Sequence, residues 1–147
     1  MHKSRIGALT LAVLIAGCGH STSDGKVQAQ REKKEIGSLD MAGDANGNGT
    51  MTKGTMLRVA GWAADTATAA PVQNVTVFVD GNSVGTATLG APRPDVANSL
   101  GRSDYTNSGW SFLMSTSSLS VGQHTVTAAA AGPSGTAQLG SKTVNIQ

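Results

Sequence analysis

Gly81-Asn82-Ser83-Val84-Gly85 fits the pattern G-x-S-x-G, and Asp95 or Asp104 and then His124 follow it in the chain order that a hydrolase triad needs. A serine used this way sits on a strand-turn-helix elbow in a parallel sheet, with backbone amides behind it to hold an oxyanion. Here the stretch lies between two alternating apolar runs and reads as a hairpin turn, so no catalytic residue is assigned and a non-enzyme is expected. Asp44-Ala45-Asn46-Gly47-Asn48-Gly49 matches D-x-[DN]-x-[DN]-G, the first half of an EF-hand loop, which offers oxygen ligands at alternating positions. Its twelfth position is Thr55 rather than a bidentate Glu and no helices flank it, so a Gly/Asn-rich turn is expected, with weak Ca²⁺ binding as the lesser alternative. His2, His20 and His124 show no metal-ligand spacing, and neither metal nor cofactor is expected. His124 shares strand parity with Val126, which places it at the margin of a core with a backbone hydrogen bond.

A different chemistry, surface recognition, is suggested by a long Pro-containing loop from Gly90 to Ser108. Arg93 and Asp95 flank Pro94 and are spaced for a local ion pair, while Arg102, Asp104 and Tyr105 extend the loop. Long loops on rigid scaffolds are where such proteins place their contacts, so these five residues form the candidate binding loop. Trp62 and Trp110 could stack on sugar rings. With five aromatic residues in the whole chain, core packing is the expected use of both.

The elements that must position these residues follow from composition. The chain has 147 residues, 14% charged, with a formal net charge of +2. This suits one domain with a leader and supplies no strong field for nucleic acid. From Gly54 onward, Arg58, Arg93, Arg102 and Lys142 are balanced by Asp65, Asp80, Asp95 and Asp104. The single cysteine, Cys18, excludes an internal disulfide and a cysteine-based zinc cage. Stability therefore has to come from packing. Nineteen glycines and a second half rich in Thr, Ser, Val and Ala favour strands and tight turns over helices.

His2-Lys3-Ser4-Arg5 followed by the apolar run Ile6 to Ala16, about 11 residues, has the form of a secretion signal. The run is too short to span a bilayer core, which needs ~20 apolar helical residues. Ile15-Ala16-Gly17-Cys18 resembles the lipobox of bacterial lipoproteins. That resemblance implies lipid on the Cys18 sulfur, cleavage before it, and membrane anchoring through fatty acyl chains such as palmitate. Each buried CH₂ contributes ~0.8 kcal/mol, so several chains on one residue anchor stably. Gly19, where an Asp is absent, implies the outer membrane of a bacterial cell envelope. Residues 1–17 are thus expected to be a lipoprotein signal peptide and residues 18–36 a polar tether, with a reach of ~24 Å. The tether's Arg31, Lys33 and Lys34 alternate with Glu32 and Glu35 and read as solvated charge.

From Gly37 to Gln147 short runs alternate with period two between turn residues, the pattern of an all-β sandwich or barrel, and a sandwich of about seven antiparallel strands is expected. The opening strand falls at Gly37 to Asp40, resumed at Thr50 to Lys53. Thr55 to Asp65 follows, with Leu57 and Val59 alternating with Arg58. Val75, Val77 and Val79 share one face before Asp80-Gly81-Asn82, and the run Val84 to Leu89 completes a hairpin turned at Asp-Gly. Trp110, Phe112 and Met114 share one face, as do Val126, Ala128 and Ala130. A second hairpin is expected at Gly132-Pro133-Ser134-Gly135, and Leu139, out of phase with Val144 and Ile146, implies a bulge near Gly140.

In these stretches, "GSLDMAG", "VAGWAAD", "VQNVTVFVDGNSVGTATLG", "RPDVANS", "GWSF" and "VGQHTVTAAA", the chain resembles bacterial Ig-like domains of secreted and surface proteins. It departs from their pattern at Ala128 to Ala131, where an acidic residue often follows the strand. The resemblance implies an Ig-like or fibronectin-III-like sandwich that serves as an adhesive, spacing or ligand-presenting module without catalysis. The partner would be an envelope protein, or alternatively a glycan bound through an exposed Trp or Tyr105.

Overall fold

A computed structural model describes residues 34–147. The leader, Cys18 and residues 18–33 of the expected tether lie outside the described residues. Nine strands, rather than seven, occur among the described residues: β1 Glu35–Gly43, β2 Thr50–Met51, β3 Met56–Asp65, β4 Asn74–Val79, β5 Asn82–Thr86, β6 Thr88–Ala91, β7 Gly109–Ser115, β8 Gly122–Gly132 and β9 Gly135–Ile146. β1 opens at Glu35, so the last two residues assigned to the tether, Glu35 and Ile36, are strand.

The strands form two sheets, β1-β3-β7-β6 and β2-β9-β8-β4-β5. Every pairing is antiparallel except the two-residue parallel contact of β2 with β9. Lettered A, A′, B, C, C′, D, E, F and G in chain order, these are an ABED sheet facing an A′GFCC′ sheet. That is the connectivity of immunoglobulin-type sandwiches.

Local chemistry accounts for the turns. Asp80 and Gly81 have φ of 50° and 81°, and Val79 pairs with Asn82 around them. A two-residue turn with both φ values positive matches the twist of the flanking strands, and Asp-Gly is the pair that tolerates it. The second hairpin turns on Pro133-Ser134, with Gly132 paired to Gly135. Between Thr127 and Ala129 the β8–β9 register slips so that Leu139 and Gly140 oppose one residue, which is the expected bulge.

The two additional strands arise where one expected element became two. The run Val84 to Leu89 changes sheet: β5 pairs with β4 up to Thr86, and β6 pairs with β7 from Thr88. Ala87 sits at the crossing and donates its amide to Val75 O at 2.8 Å. Likewise β2 leaves β1's sheet and joins β9 in the other. Alternation alone reports which residues are extended, not which neighbour they pair with.

The core is small-aliphatic with one large centre. Leu57, Val59, Val75, Val77, Val126, Val144 and Ile146 are fully buried, and each such side chain contributes roughly 1.5–3 kcal/mol relative to exposure. Trp110 lies among them opposite Gly61, where any side chain would collide with the indole and with the Ser38 carbonyl. Trp62 points to the other face of β3 and is half-buried in a second cluster with Ala64, Val96 and Tyr105.

Candidate functional site

The connection between β6 and β7 is not the irregular loop expected. It holds α1, Pro94–Leu100, and a 3-10 turn, Ser103–Tyr105. Pro94 stands at the first helical turn, where its missing N–H costs nothing, and Gly101 ends α1 in the left-handed conformation with φ 64°. Val96 and Tyr105 turn inward and pack with Ala64, Ile36 and Trp62 on the outer side of β3.

All five candidate binding residues belong to this connection, and two repeats of Arg-x-Asp organise it. Arg93 grips Asp95 with two parallel bonds, Nε to Oδ1 at 2.9 Å and Nη2 to Oδ2 at 2.8 Å. Its third arm, Nη1, reaches Asp40 Oδ2 on β1 at 2.8 Å. Arg102 grips Asp104 in the same way, at 2.9 and 2.6 Å, and its guanidinium lies 4.5 Å from the centre of the Tyr105 ring. The Arg93 hydrogen bond holds Asp95 down to about 2, and the Arg102 hydrogen bond lowers Asp104 below the usual carboxylate range. Both arginines are raised by the same bonds, so all four groups stay ionised at every physiological pH. The charges are consumed internally. What faces solvent is a rim of Asp95, Arg102 and Asp104, each already paired within the connection.

Tyr105 does not belong to that rim. It is 2% exposed, and burial raises its hydroxyl above the ordinary value. Trp110 is 1% exposed. Neither ring offers a face to a sugar, which leaves half-buried Trp62 as the remaining tryptophan.

The hydrolase constellation is dismantled by the same geometry. Ser83 lies on β5 opposite Phe78, while His124 bonds Asp80 Oδ2 through Nδ1 at 2.6 Å. A different serine, Ser120, brings its hydroxyl to 3.4 Å from His124 Nε2, superficially a Ser-His-Asp line. The Ser120 carbonyl is closer to the same nitrogen, at 2.9 Å. Flanked by a carbonyl and a carboxylate, both acceptors, the ring donates from both nitrogens and keeps no lone pair for a base. The Ser120 carbonyl, then Asp80, raise the His124 pKa. The imidazolium is a fastener between the β4–β5 turn and the start of β8.

Asp44 is engaged as a turn former. Oδ1 accepts the Asn46 and Asn48 amides at 2.8 and 2.9 Å, and Oδ2 accepts Asn48 Nδ2 at 2.9 Å. Asp40, which sequence reading left out of the site, joins it because the fold brings β1 beside a residue 53 positions away. A residue-level signal did exist for α1: Pro at its start and Gly just past its end.

No protein-family profile and no curated protein matches the chain. Among solved structures it is similar to the fibronectin(III)-like modules of Clostridium thermocellum CbhA, at 15% identity and a TM-score of 0.45. The likeness covers 78% of this chain and 46% of that one, so the chain spans under half the length of its match. The sandwich is established by its own two-sheet connectivity, that of an Ig-like, fibronectin-III-like domain.

Proposed function

We propose that the chain is a lipoprotein of the bacterial cell envelope, held at the outer membrane by acyl chains on Cys18. Its sandwich is a non-catalytic module for protein contact, adhesion or spacing. The observation that carries the anchoring is the sequence order itself: basic residues, an apolar run too short to span, Ile15-Ala16-Gly17-Cys18, then polar residues. The non-catalytic part is supported by the use of the reactive side chains. His124, Asp80, Arg93 and Asp95 are each tied to protein partners in roles that hold turns and connections in place. The rim of the β6–β7 connection is the contact surface, because it is held by two Arg–Asp pairs, charged on both signs and exposed.

Metabolic labelling with a fatty acid tests the anchor. Wild type incorporates label and sediments with membranes, whereas Cys18→Ser incorporates none and is released or left unprocessed. Equal labelling of the two proteins refutes the anchor. Crosslinking from envelope preparations then tests the surface, with Arg102→Ala expected to lose a partner that the wild type captures.

A further inference from the structure

Glu35 on β1 and Asp65 at the end of β3 are direct register partners, with 2% and 0% exposure. Their surroundings differ sharply. Asp65 Oδ1 accepts the Ala67 and Thr68 amides at 2.6 and 3.0 Å, and Oδ2 accepts the Ser134 amide at 3.0 Å. Neither carboxyl oxygen of Glu35 meets a donor in hydrogen-bonding geometry. The Gly132 backbone lies directly on this carboxyl, so any side chain there would collide with it.

A carboxylate holding three N–H bonds keeps its charge, and a second ionised carboxylate beside it, itself 2% exposed, would be a buried charge without compensation. No described cation relieves it. The facing residues of the 132–135 turn carry no charge, Thr136, Ala137 and Gln138 of β9 are neutral, and exposed Lys34 lies at the edge of the cleft. Tyr105 is close enough for Asp65 to act on its hydroxyl, but it is neutral. The way left to satisfy Glu35 is to keep its proton and donate it to Asp65.

We propose that Glu35 and Asp65 share one proton and form a pH-responsive clasp, fastening the start of β1 and the end of β3 to the tip of the β8–β9 hairpin. Burial, followed by the hydrogen bond and charge of Asp65, raises Glu35 from 4.5 to about 7, while the nearby Ser134 amide opposes this as the smallest influence. Burial alone would raise Asp65 too, but the Ser134, Ala67 and Thr68 donors hold it well below the usual range. An acid whose pKa is raised by folding gives stability that is complete below 4.5 and lost as pH climbs to about 7. Over that window the local opening constant rises about tenfold per pH unit, then levels off. The clasp stands on this geometry alone and is independent of lipid or partner.

The test is carbon NMR of the Glu35 carboxyl in the full chain, with amide exchange of Ala67, Thr68 and Ser134 corrected for intrinsic pH dependence. The clasp gives a Glu35 midpoint near 7 and corrected exchange that quickens up to that pH; in Glu35→Gln the exchange is flat. A Glu35 midpoint near 4.5, or wild-type exchange as flat as the variant's, overturns it. Should Glu35→Gln not fold, the wild-type midpoint decides alone.

Discussion

β8 has a polar clasp at each end, built on opposite chemistry. At its start His124 meets Asp80, a base against an acid, and Asp80 is half exposed to water, which screens any imbalance. Where β8 turns into β9, the Ser134 amide donates to Asp65 beside Glu35, an acid against an acid with both residues buried. The first is neutralised by charge and the second by a proton. Buried carboxylates therefore need not announce a cation or a reaction; which donors reach each oxygen decides their role.

Both clasps weaken as pH rises, in different windows. His124 is raised above 6.5, so its contribution is complete below 6.5 and is lost as pH rises through the folded value. The Glu35 contribution is already being lost from 4.5 upward. Asp80, lowered by His124, acts the other way and fails only in acid.

The largest break expected is Asp65→Ala, which removes three N–H bonds to a buried carboxylate and should cost about 3–5 kcal/mol in denaturant unfolding. A loss under about 1 kcal/mol would mean that the Asp65 bonds are replaceable. Next, Glu35→Gln should stabilise the domain by about 2 kcal/mol at pH 8 and by nothing below pH 4.5, because the variant has no carboxyl to ionise. A variant uniformly less stable than wild type would contradict the shared proton. His124→Asn should cost about 1–2 kcal/mol at pH 6 and progressively less at alkaline pH, as followed by thermal melts across pH. The smallest effect is expected at the charged rim. Arg93→Ala should cost about 0.5–1 kcal/mol, since its partners are substantially solvated, and should leave the sandwich folded. A collapse of folding there would make the connection part of the core rather than its edge.

Sequence reading succeeded where the physics is local. Asp80-Gly81 carries its own turn, the parity break at Leu139 carries its own bulge, and Val75, Val77 and Val79 alternate without reference to any partner. It fell short where partners are remote. The sheet switch at Ala87 depends on β7 competing with β4, and Arg93–Asp40 and Glu35–Asp65 depend on registers across 53 and 30 residues. Tyr105 looked available because its loop is polar, and is buried because Ala64 and Trp62 leave an apolar patch on the outer side of β3. Arg93 and Asp95 were visible as a local ion pair, but not the matching Arg102–Asp104 pair, nor the third bond of Arg93 that ties sheet edge to connection.

Reactive-looking side chains of the described domain serve as fasteners. Nitrogen NMR of the His124 ring at pH 6.5 tests it most directly, because the ordinary imidazole midpoint lies there. Hydrogen on both ring nitrogens in most molecules is the predicted result. A ring that is mainly neutral, with an unprotonated Nε2 beside Ser120, would contradict the claim and return the chain to the search for a hydrolase.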